Sequence, residues 1–217
     1  MRWLLWAFAF APAALLAQTA AELELAATHY ERGRASLRAD DYDRAIADFG
    51  EALRLAPAHP GAYFGRGISQ LMKKNYAGAI ADLSESAKLD PRNAQTFLGR
   101  GLAYLEQKDY GRAVADLDET LRLNPSALNA YASRAEARLG MKDMDAAIAD
   151  YSELLRRLAT DAEGRPVINS PARAAEILVR RGCALSAKDE QGKAAADFEA
   201  ARTLNPRLDA SPSCEPR

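Results

Sequence analysis

The sequence predicts an all-α fold, a superhelical solenoid of about five antiparallel helix-turn-helix repeats. Glycine follows arginine at Gly33, Gly67 and Gly101, in steps of 34 residues. Proline recurs with the same step at Pro57, Pro91 and Pro125. Between these marks, apolar residues fall at helical spacing in two runs per unit. A fixed period of this length is the mark of stacked supersecondary units. One helical hairpin cannot bury both its faces, so the copies must stack.

The chain begins with a separate object. Residues 1–17 hold a basic start at Arg2 and then an apolar run broken by Pro12. That run is short for a membrane span, and small residues follow at Ala17 and Ala20. We read a signal peptide, cleaved after Ala17 or Ala20, with an uncleaved anchor as the alternative. An exported protein follows, placed in a bacterial periplasm by its alanine-rich style and not inserted in the membrane after cleavage. Thr19 and Glu22 have capping-box spacing, which predicts a first helix from there to about Leu37.

The repeat domain, 18–207, divides into units at 26–59, 60–93, 94–127, 128–159 and 175–208. The third is the most regular. Phe97, Leu98, Leu102, Tyr104 and Leu105 give one apolar run, and Tyr110, Val114, Leu117, Leu121 and Leu123 the next. Gly101 and Ala113 stand where the two helices approach closely. The fourth unit departs, with Ala135 for glycine, Met144 for tyrosine and Ala159 for proline. An insertion at 160–170, rich in charge with Gly164 and Pro166, is predicted as a surface loop. Ser170 and Pro171 then read as an N-cap and first helical position. The tail, 208–217, has no periodicity.

These marks make the chain similar to the tetratricopeptide repeat family. Its small, aromatic and proline slots match Gly101, Tyr104, Tyr110, Ala113, Leu117 and Pro125, and in the last unit Gly182, Ala194, Phe198 and Pro206. The resemblance covers residues 26–207.

Catalytic and metal chemistry find little support. The two histidines, His29 and His59, share no ligand spacing, and no paired Cys-x-x-Cys or phosphate loop occurs. We expect no enzyme, no metal and no cofactor. A net charge of −1 gives no footprint for nucleic acid.

One polar pattern is regular. Arginine precedes each glycine slot at Arg32, Arg66, Arg100, Arg134 and Arg181. Aspartate follows sixteen residues later at Asp48, Asp82, Asp116, Asp150 and Asp197. The arginines could form a ladder for an acidic ligand, or each could make a structural ion pair inside its hairpin. The matched aspartates favour the ion pair.

The resemblance also implies a binding face. In such repeats the first helices line a concave groove, whose slots here carry Tyr30, Arg34, Leu37 and Arg38, then Phe64, Ile68, Leu71 and Met72. The third unit supplies Leu98, Leu102, Leu105 and Glu106. The fourth supplies Ala132, Glu136, Leu139 and Gly140, and the fifth Val179, Cys183, Ser186 and Ala187. Family members that grip a C-terminal carboxylate use Lys, Asn and Arg in such slots, a set this chain lacks. We expect a non-enzymatic scaffold that binds a peptide or partner helix there, with Phe64, Ile68, Leu98 and Leu102 accessible. The alternative is an accessory subunit of a cell-envelope enzyme or assembly complex, acting through the convex face and the 160–170 loop.

Two cysteines remain. Cys183 sits in the first helix of the last unit and Cys214 in the tail, 31 residues on. The eight residues after Pro206 reach about 26–29 Å when extended, enough for a disulfide in an oxidising compartment. Two free thiols are the alternative.

Overall fold

The computed structural model describes residues 13–159, 170–207 and 214, with side chains from residue 19 onward. The predicted leader before Ala13, the insertion and the tail around Cys214 lie outside the described residues. Among the described residues ten helices form five consecutive hairpins: α1 (Ala13–Arg38) with α2 (Tyr42–Leu55), α3 (Pro60–Met72) with α4 (Tyr76–Leu89), and α5 (Ala94–Glu106) with α6 (Tyr110–Leu123). They continue with α7 (Leu128–Gly140) and α8 (Met144–Leu158), then α9 (Pro171–Ala187) and α10 (Gln191–Leu204). No strand occurs among the described residues.

One helix start differs from expectation. Thr19 does not open a helix, because α1 already runs from Ala13. Alanine and leucine fill residues 13–17 and 20–21, and their helix propensity carries the helix through the capping box. The fifth hairpin starts at Pro171, the first helical position expected there, and α9 has 17 residues where α7 has 13. Ser170 occupies the N-cap position there but makes no side-chain cap bond. The lost proline at Ala159 also has a visible effect. Without it α8 extends to 15 residues, one more than α2, α4 or α6.

All five hairpins turn alike. The residue closing the first helix takes left-handed backbone at Asp40, Lys74, Lys108, Lys142 and Asp189, with φ from 57° to 64°. The next N–H then bonds back five residues, as from Asp109 N to Tyr104 O at 2.9 Å, satisfying a carbonyl left open at the helix end. That same residue opens the second helix. The side chains of Asp41, Asn75, Asp109 and Asp143 accept from the backbone N–H three residues on. Glu190 holds this place in the fifth hairpin, and its longer side chain makes no such bond. It meets Lys188 and Lys193 instead, at 3.1 and 2.6 Å. Glu190→Asp is therefore expected to raise stability by about 1 kcal/mol, the usual worth of an N-cap. A urea midpoint that fails to rise would contradict this account of the turn.

The described helices divide into two compact units within α5, between Gly99 and Arg100. In the first unit the core gathers around Phe49 of α2, with Ala45, Ala52, Leu53 and Ala62. Its ring lies between two glycines. A Cβ on Gly33 of α1 would stand 2.8 Å from Phe49 Cδ1, and one on Gly65 of α3 would overlap Cζ. The start of α5 joins this unit through Thr96 Oγ1, which lies 3.2 Å from Ser86 Oγ with both groups buried.

The second unit repeats the scheme. Leu117 of α6 and Tyr151 of α8 fill the place of Phe49, and both are fully buried. The last hairpin closes on Ala175, Leu178 and Ala201, with Leu155 of α8 packed against them. Alanine stands at every close crossing of the second helix: Ala45, Ala79, Ala113, Ala147 and Ala194 are each buried.

Candidate functional site

The hairpin geometry brings each arginine onto its aspartate. Arg66 Nε donates to Asp82 Oδ2 and Nη2 to Oδ1, both at 2.7 Å. Arg100 reaches Asp116 in the same two-pronged way at 2.8 Å, and Arg181 reaches Asp197 at 2.8 and 2.7 Å. Arg134 holds Asp150 at 3.0 and 2.5 Å. In the first hairpin the contact is looser, one prong of Arg32 at 3.2 Å, and His29 Nδ1 shares Asp48 at 3.3 Å. All five aspartates are buried. The hydrogen bond to its own aspartate, opposed by desolvation, holds each of the Arg66, Arg100 and Arg181 guanidiniums above its ordinary pKa.

The pairs engage more partners than the sixteen-residue offset suggests. Arg138 also donates to Asp150, at 2.7 Å, so that carboxylate carries two guanidiniums. The remaining prong of the arginine reaches back to the second helix of the preceding hairpin: Arg134 Nη1 to Asp118 at 2.5 Å, and Arg181 Nη1 to Ser152 at 2.9 Å. These arginines therefore fix register both within a hairpin and between neighbours. Asp118 lies sixteen residues before Arg134, a signal present in the sequence.

The face of the first helices is built differently in the two units. In the first, Phe64, Ile68, Leu71 and Leu98 are half-buried and Met72 is exposed. Ile68 is partly covered because its Cδ1 packs on the bare backbone of Gly99. Tyr30 and Leu37 turn further inward and pack against the Phe49 core. The Tyr30 ring also stacks on His59 with centroids 4.4 Å apart. Arg34 stays exposed, paired with Glu31 at 2.9 Å, and Arg38 is exposed at the end of α1.

In the second unit Leu102 and Leu105 are half-buried, and the face then becomes polar. Glu136 of α7 takes Arg180 of α9 at 2.6 Å, and Asn129 of α7 takes Arg173 at 2.8 Å. Glu106 is exposed, and Ala132, Leu139, Val179 and Ser186 are half-buried. Gly140 lies under the ring of Tyr110, and Ala187 is exposed at the end of α9. Beneath this face Tyr151 is fully buried, and burial pushes its pKa up to about 12.

Cys183 and Cys214 are bonded, with Cα atoms 5.3 Å apart. Among the described residues no group of His, Cys, Asp or Glu side chains is arranged to hold a metal ion. No described helix is long and apolar enough to cross a membrane.

A family model described as "Tetratricopeptide repeat" matches residues 30–94 and 98–162, more than half of the chain. The chain belongs to the tetratricopeptide repeat family. No curated protein matches the sequence. Several solved structures share the fold. MamA aligns with a TM-score of 0.73 at 19% identity, over 87% of this chain and 99% of its own. YrrB, described as a tetratricopeptide repeat protein with an unusual peptide-binding site, aligns at 0.70 and 17% identity, over 82% and 86%. The first tetratricopeptide repeat domain of Spaghetti (RPAP3), bound to the HSP90 peptide SRMEEVD, aligns at 0.54 and 20% identity, over 55% and 95%. At these identities the likeness shows the fold. Within the tetratricopeptide framework, the arginine of each repeat pairs with the aspartate of its own hairpin.

Proposed function

We propose that this tetratricopeptide repeat protein is a non-enzymatic interaction scaffold that takes up a peptide or partner helix on the face of its first helices. One observation carries the reading. In the first unit that face offers Phe64, Ile68, Leu71 and Leu98 half-exposed, while Arg66 of the same α3 is already engaged with Asp82. Apolar side chains left on a protein surface together serve as a binding patch. Each further burial against a partner contributes about 1.5–3 kcal/mol. YrrB and the RPAP3 domain are peptide binders by description, which supports this mode for the family fold. The Lys, Asn and Arg set that grips a C-terminal carboxylate is missing here, so the partner is held by apolar side chains and not by its terminus. The Cys183–Cys214 bond supports an exported protein in an oxidising compartment.

The test is capture of partners from the native compartment by wild type and by the Phe64→Asp, Leu98→Asp double variant. Loss of the captured partners with folding intact is the expected result. Retained partners would move the site away from the first-helix face, with the open crevice of about 410 Å³ lined by Ser152 and Leu155 of α8, Leu178 of α9 and Leu204 of α10 as the next candidate.

A further inference from the structure

The arginine of the second hairpin lacks an acceptor that two of its counterparts have. Arg134 Nη1 donates to Asp118 at 2.5 Å and Arg181 Nη1 to Ser152 at 2.9 Å, each on the second helix of the preceding hairpin. The equivalent position before Arg66 is Gly50 of α2, sixteen residues back, as Asp118 is from Arg134. A guanidinium has five N–H donors. Asp82 takes one from Arg66 Nε and one from Nη2, and Nη1 meets no acceptor among the described residues. It faces bare backbone instead. Apart from its own helix, the one described atom within 4 Å of a Cβ on Gly50 would be Arg66 Nη1, at 3.9 Å. The ring of Tyr63 stays close, its centroid 5.8 Å from the guanidinium carbon. Solvent reaches the place, because 26% of the Arg66 side chain is exposed and Gly50 is only half-buried.

We propose that Gly50 and Arg66 form a docking point for a partner protein's carboxylate, an aspartate or glutamate side chain that bonds Arg66 Nη1 as Asp118 bonds that of Arg134. The site lies wholly in the first unit. It is separate from the first-helix face proposed above, because Arg66 stands two residues from both Phe64 and Ile68 and so on the other side of α3. The planar fork of a guanidinium matches a carboxylate, and a charged acceptor bonds about twice as strongly as a neutral one. One guanidinium serves two carboxylates elsewhere in this chain, as Arg134 does for Asp150 and Asp118. Arg54, one turn beyond Gly50 on α2, is paired through Nε with Glu51 at 2.9 Å, so the charges beside the site are matched and Nη1 of Arg66 is the donor left over. Glycine at position 50 is what lets an outside group reach that donor. A side chain with its own acceptor there would close the site from within.

NMR titration of the full-length protein at constant ionic strength tests this. The probe is N-acetyl-glutamate N-methylamide, and its neutral isostere N-acetyl-glutamine N-methylamide is the control. The guanidinium signals of Arg66 report on the site. Those of Arg181, whose prong Ser152 already occupies, report on any general effect. Gly50→Ala keeps the donor open, whereas Gly50→Asp supplies an internal acceptor. Gly50→Ser does the same with the residue type that meets Arg181, and takes over if Gly50→Asp does not fold. The expected result is a saturable shift at Arg66 with the glutamate probe in wild type and Gly50→Ala, and its loss in Gly50→Asp. The glutamine compound is expected to bind about ten-fold more weakly, and Arg181 to stay unmoved. Equal binding of the two compounds would overturn the proposal, because charge would then play no part. So would a shift that never saturates, an equal shift at Arg181, or binding retained in the folded variant that carries its own acceptor. The first-helix face is judged separately, since partner capture by the Phe64→Asp, Leu98→Asp variant does not bear on these titrations.

Discussion

Asp150→Ala is expected to destabilise the protein by about 3 kcal/mol, the scale for breaking a buried ion pair from one side. Its carboxylate is nearly sealed, with 3% of the side chain exposed, and it answers both Arg134 and Arg138. Removing it leaves Arg138 desolvated beside an apolar methyl, while Arg134 keeps only Asp118. The triple variant Asp150→Leu, Arg134→Met, Arg138→Met removes the charges together and is expected to lose less than the single change. Buried charge networks replaced whole by apolar side chains are often neutral or better. Urea unfolding of both variants decides it. A single variant as stable as wild type, or a triple variant worse than the single, would mean that the pair does not hold the hairpin as described.

The disulfide carries the other large effect. Cys183→Ser is expected to cost about 3–4 kcal/mol, from the chain entropy released when a loop of 31 residues is no longer closed in the unfolded state. The loss belongs to the second unit, which contains both cysteines. Calorimetry under non-reducing conditions is expected to show the unfolding midpoint of the variant below that of oxidised wild type. Equal unfolding curves for variant and oxidised wild type would contradict this.

Much of the fold is legible because the repeat imposes itself at fixed intervals. The step of 34 residues locates Gly33, Gly67 and Gly101 where second-helix side chains press on backbone, and a bulky residue at any of them meets a neighbour. The offset of sixteen is legible for a geometric reason. A hairpin turning at Asp109 folds Asp116 back beside Arg100, and the two lie 2.8 Å apart. What the period does not carry is harder to read. The start of α1 is set by alanine propensity spread over many residues, which outweighs a single capping box. Arg138 reaches Asp150 across a twelve-residue offset that only the fourth hairpin uses, so no repetition announces it. The binding face is the least legible part. Tyr30 and Phe64 occupy equivalent slots, yet Tyr30 turns toward Phe49 and His59, a difference made by neighbours in space.

The binding face is tested most directly by placing a photo-crosslinking amino acid at Leu71 of α3, and separately at Lys88 of α4, in the full-length protein in its native compartment. Leu71 is half-buried on the first-helix face, and Lys88 is exposed on a second helix. We predict a discrete crosslinked partner from position 71 that disappears in the Phe64→Asp, Leu98→Asp background, and none from position 88. Crosslinks from position 88 alone would contradict a binding face built on the first helices.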